Sequence, residues 1–221
     1  MASVWTWSGL ALALLGPGLI AMLWTWSTRK AMSLRASAPW LAVFVLLVVG
    51  VATIAHRAEG LSWTETGVGG MSSASVPFAI VLAAFFILVF GPIAARALLW
   101  FDAGSFEAGR RSLAALPHWY LCLVVVIVGA GEEWLYRGYA IERLQALTGE
   151  AWLAGMISLL AFGLVHLPVW GIGVSLTTLV SGGILTALYL WRRDISFLIL
   201  AHIATDLYGL TPFDPRTRRS S

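Results

Sequence analysis

About seven runs of apolar residues, each near the ~20 that a helix needs to cross a bilayer, leave this chain room for little except a bundle of membrane helices. They cover about Trp7 to Trp26, Pro39 to Ala55, Val76 to Trp100, Trp119 to Thr148, Ala151 to Leu167, Ile172 to Trp191 and Ile195 to Leu210. The connections after the fourth run are short, which favours antiparallel neighbours. Only 11% of the residues are charged, against ~25% in an average soluble domain, so an ordinary soluble globule is excluded. No polar linker or fixed-period repeat divides the 221 residues, and the economical expectation is one integral membrane domain over residues 1–221. The fold class expected is all-α: a polytopic transmembrane bundle in contact with membrane lipid. Trp5, Trp7, Trp24 and Trp26 bracket the first run as interfacial anchors. That run exceeds the ~7 to 15 residue core of a secretory signal and follows no Lys or Arg, so it reads as a retained helix. Cys122 sits in an apolar run without an internal partner and reads as a small core side chain.

The fourth run breaks the apolar rule. In GAGEEWLYRGY, Glu132, Glu133 and Arg137 place three charges within six residues. Each costs roughly 2.5 to 3.5 kcal/mol near a bilayer centre, where a Leu or Val returns only a few tenths. Such groups must face a protein interior or a wet cavity and pair with one another. The other ionisable groups embedded in apolar sequence are His166, His202 and Asp206. A bundle needing only stability would omit them, so a shared polar site is the expectation.

At ~100 degrees per residue, Glu133 and Arg137 stand one turn apart in the favourable order for an ion pair. Glu132 is rotated off that stripe and shares its face with Tyr136 and Tyr139, so it is better placed to address a cavity as a general base holding a water. His202 and Asp206 repeat the four-residue spacing on the last run. Phe162 and His166 do so on the fifth, where Pro168 follows and a helix end is expected.

Three blocks, Glu132-Glu133-x-x-x-Arg137, Phe162-x-x-x-His166 and His202-x-x-x-Asp206, resemble the signatures of the CPBP family of intramembrane endopeptidases, which includes type II CAAX prenyl proteases and Abi proteins. The resemblance spans roughly residues 131–208, within a catalytic core expected at about 117–210. It implies a peptidase acting near the C-terminal region of a membrane-attached substrate. On this resemblance Glu132 and His166 activate the water, His202 and Asp206 bind the oxyanion or order the site, and Glu133, Arg137 and Phe162 support it. Asp206 departs from members with Asn there; an ionised carboxylate cannot donate to an oxyanion, so orienting or charging His202 is its expected task. The substrate implied is a peptide or protein, lipidated or bearing a C-terminal tag. In a bacterium the setting would be the inner membrane.

Alternatives stay open. No Gly-x-Ser-x-Gly elbow supports a serine nucleophile. Glu132, His166 and His202 would be a reasonable zinc set, but the H-E-x-x-H spacing is absent, and no cofactor is expected. A proton-coupled transporter would use the same residue types, with Gly182-Gly183 as a candidate helix break. A non-catalytic immunity or peptide-binding protein would retain the motif without turnover. The net charge of +3 bears on orientation, and no basic tract suggests nucleic acid. With the first terminus outside, the inner side collects Arg29, Lys30, Arg35, Arg96, Arg110, Arg111, Arg216, Arg218 and Arg219, while Arg57, Arg192 and Arg193 count against it.

Overall fold

The computed structural model describes residues 3–27, 33–69, 71–101 and 103–210. Helix α1 (Val4–Ser27) and helix α2 (Leu34–Ala58) are followed by a single 3-10 turn at Thr64–Thr66. Helix α3 (Ser75–Trp100) leads to α4 (Ala103–Ala114) and the long α5 (His118–Thr148). A 42-residue helical run, Ala151–Arg192, is interrupted at Gly171 (φ 79, ψ 179) and forms α6 (151–170) and α7 (172–192). Helix α8 (Ser196–Leu210) closes the series. No strand occurs among the described residues. The all-α class is thus realised, with helices at all seven expected spans and, among the described residues, five helical stretches long and apolar enough to cross a membrane.

Local chemistry explains the departures from the expected ends. Helix α2 begins earlier than Pro39 because Ser33 caps it, its side chain accepting the backbone N–H of Ala36. In α3 the kink expected at Gly91-Pro92 is preceded by a widened π turn over Phe86–Phe90, which re-spaces the ladder just before the proline that cannot donate. Pro168 does not end its helix; the break falls three residues later at Gly171, in a backbone region reserved for glycine. Helix α5 stops at Gly149, whose φ of 76° and N–H bond to Gln145 make a left-handed cap. Helix α4 was not expected from hydropathy, because its glycines and charges dilute the apolar signal.

Helix α5 is the central rod, packed against α1, α2, α6, α7 and α8. Its segment Glu133–Ile141 winds as a nine-residue π-helix, and every residue in it is buried. At one end of the bundle, Glu59 after α2 accepts from Thr6 (2.6 Å), Tyr139 (2.8 Å) and Arg143 (2.9 Å). Beside it, Arg193 donates to Glu142 and Gln145, both at 2.6 Å, and Arg192 lies 4.2 Å over the Phe78 ring. Two of the three arginines that count against the orientation above are therefore committed to partners. Arg29, Lys30, Arg216, Arg218 and Arg219 lie outside the described residues.

Candidate active site

The centre of the bundle holds a continuous polar chain. Arg137 donates from Nη1 to Glu133 Oε1 at 3.0 Å and from Nη2 to the Gly182 carbonyl at 3.3 Å, and its Cζ lies 4.0 Å over the Phe162 ring. Both ion-pair side chains are sealed, at 1% and 0% exposure. Such a pair survives desolvation only with good geometry and further hydrogen bonds, which the Gly182 carbonyl and the aromatic face supply. Gly182 is required by close approach: a Cβ there would stand 3.0 Å from Arg137 Nη2 and 2.9 Å from the Phe162 ring. Helix α7 runs unbroken through Gly182 and Gly183, so the helix break that a transport path would use is absent at that point.

The same Glu133 oxygen meets His202 Nδ1 at 2.8 Å, and His202 Nε2 faces Asp206 Oδ2 at 3.4 Å. Both imidazole nitrogens of His202 thus point at carboxylates. The Nδ1 of His166 lies 2.8 Å from the Phe162 carbonyl oxygen. A carbonyl only accepts, so His166 carries a proton on Nδ1, and in the neutral ring Nε2 keeps its lone pair. Phe162 is the hub: its ring packs edge-on against Tyr136 (5.2 Å between centroids), His166 (4.9 Å) and His202 (6.4 Å).

Glu132 has a different environment from its neighbour. It is half-buried and borders a cavity of about 210 Å³ together with His166 and Asp206, whereas Glu133 is fully enclosed. A second cavity of about 270 Å³ is bordered by His166, His202 and Asp206. Glu132, His166, His202 and Asp206 therefore border two adjoining cavities, with His166 and Asp206 common to both, rather than one pocket. Glu133, Arg137 and Phe162 form the support behind them, although Phe162 also reaches the second cavity. No three His, Cys, Asp or Glu side chains among the described residues are grouped to hold a metal ion.

Tyr139 departs from the sequence expectation. Its hydroxyl bonds Glu59, away from Glu132. Spacing at 100 degrees per residue assumes an α-helix, and the π winding of Glu133–Ile141 turns less per residue, so a position seven residues on no longer returns to the starting face. Ser158 and Trp170 also escaped the sequence reading, being an ordinary serine and one of twelve tryptophans. Trp24, expected as an interfacial anchor, lines the first cavity, while Trp5, Trp7 and Trp26 are exposed as anchors should be.

Ser158 on α6 donates to the Tyr136 carbonyl at 2.6 Å, fastening the π segment to its neighbour. Ser158→Ala leaves a buried carbonyl short of this donor, at an expected cost of about 1–2 kcal/mol. Thermal unfolding in detergent checks this, and an unchanged midpoint would contradict it.

No curated protein and no solved structure matches the chain. The polar chain, both histidines and both glutamates of the site fall between residues 114 and 208, and over that segment the sequence matches the family described as Type II CAAX prenyl endopeptidase Rce1-like.

Proposed function

We propose that this protein is an intramembrane endopeptidase that hydrolyses a peptide bond with a water activated by Glu132 and His166. The observation that carries the reading is that Glu132 and His166 border one cavity inside the helical bundle, while the adjacent Glu133 is locked in an ion pair behind them. Glu132 takes a proton from the water, assisted by the Nε2 lone pair of His166, and the resulting hydroxide attacks the scissile carbonyl carbon. The Nε2–H of His202 turns from its long 3.4 Å contact with Asp206 to the developing oxyanion in the adjoining cavity, while the 2.8 Å bond from Nδ1 to Glu133 holds the ring. Collapse breaks the C–N bond as Glu132 delivers its proton to the leaving amine. The substrate class is a membrane-attached peptide, lipidated or tagged near its C-terminus, which accords with the family's description and with the apolar wall of Trp24, Trp40 and Phe44.

The chemistry is proposed to be metal-independent. A metal ligand needs a free imidazole lone pair, and both nitrogens of His202 are directed at carboxylates. Cleavage of a membrane-peptide library by the purified protein tests the activity, and its rate is expected to be unchanged by o-phenanthroline or EDTA. Loss of activity restored by added zinc would overturn the metal-free step. No cleavage of any peptide would favour a binding role.

A further inference from the structure

The two cavities beside the polar chain have different walls. The first, enclosed by α1, α2, α4, α5, α6 and α8, contains Glu132 and is otherwise dominated by apolar and aromatic groups. The second, among α3, α4, α6, α7 and α8, contains His202 and carries the hydroxyls of Thr178, Ser181 and Thr205. Among the described residues, only His166, Trp170, Asp206 and Leu210 border both. Two of these four belong to the proposed chemistry. Of the other two, Trp170 is the larger, and it is four residues beyond His166 on the same helix stripe.

Trp170 is held by specific packing. A Cβ added to Gly109 on α4 would lie 2.6 Å from two atoms of the indole ring, so α4 can approach this closely only through a glycine. The Phe106 ring on α4 packs against the indole at 6.3 Å between centroids. On the other side the helix ends at once, at Gly171. The indole is therefore clamped by an amphipathic helix at the cavity border, just where regular helix stops.

We propose that Trp170 is a specificity-determining partition, which separates the apolar chamber from the hydroxyl-lined one and limits the size of the apolar group a substrate can carry beside the scissile bond. This rests on the protease reading above. In that reading water is activated from one chamber and the oxyanion is met from the other, so the scissile bond lies at their shared border. Groups flanking the bond extend into different chambers, and both must pass the indole. Removing the indole joins the two spaces and admits a longer apolar chain.

The test uses full-length protein and internally quenched peptides with one cysteine S-alkylated by butyl, octyl or dodecyl chains. Trp170→Ala is expected to raise kcat/KM for the dodecyl peptide relative to the butyl peptide by roughly tenfold or more, with the change falling on KM more than on kcat. Trp170→Phe, which retains a ring, is expected to restore the wild-type order. Gly109→Ala, whose Cβ displaces the indole, is expected to alter the order without touching Trp170 itself. Binding of the same peptides on a Glu132→Gln background gives the order as Kd values without turnover. An order unchanged by both Trp170→Ala and Gly109→Ala overturns the proposal. Absent cleavage combined with a shifted binding order counts against the protease reading alone.

Discussion

Glu132→Gln is expected to lower kcat by about 10²- to 10⁴-fold, the range that a positioned general base contributes, with the fold intact. The amide is isosteric with the carboxylate and cannot take a proton from water. Stability should hold because the Glu132 carboxylate makes no hydrogen bond to another described residue, in contrast to Glu133, which serves both Arg137 and His202. Turnover of a quenched peptide and thermal unfolding in detergent, measured on the same preparation, separate the two effects. Wild-type turnover in this variant would remove Glu132 from the chemistry. Glu133→Gln makes the contrast: it weakens two buried contacts, so its loss of activity should come with a loss of stability.

Arg137→Ala is the substitution with the largest expected effect on folding, a loss of about 3–5 kcal/mol. It leaves Glu133 fully buried without its cation, takes a donor from the Gly182 carbonyl, and empties the space over the Phe162 ring. Against a total stability of ~5–15 kcal/mol, this is enough to deplete folded protein in the membrane. The double variant Glu133→Gln with Arg137→Met removes both charges while keeping side-chain volume. It should recover much of the stability without recovering turnover, because His202 still lacks the carboxylate that orients Nδ1. Equal unfolding midpoints for wild type and Arg137→Ala would show that the ion pair does not hold the core.

Much of the site geometry was legible because three of its pairs are local. Glu133 with Arg137, Phe162 with His166, and His202 with Asp206 each lie four residues apart, and each pair is in contact in the folded chain. The reason that Glu132 rather than Glu133 addresses a cavity was also readable, since one member of an adjacent pair must turn away from the partner of the other. The π winding was not readable. Its register depends on neighbours such as Ser158 from α6 engaging a carbonyl of α5, and so the direction of Tyr139 was misjudged. Nor did any local signal mark α4, whose burial of Leu113 and docking of Phe106 against Trp170 exist only once α6 is in place.

Apolar length and charge cost are properties of short windows, and from them the sequence alone determined that this chain is a bundle of membrane-spanning helices with a costly acidic, basic and imidazole set sunk inside it. Contacts such as Glu133 to His202 and Arg137 to Gly182 join residues far apart along the chain. They depend on how helices cross, and on the one carbonyl that a glycine leaves accessible. Only the tertiary structure could therefore decide that the site opens on two chambers rather than one, and that a tryptophan borders both.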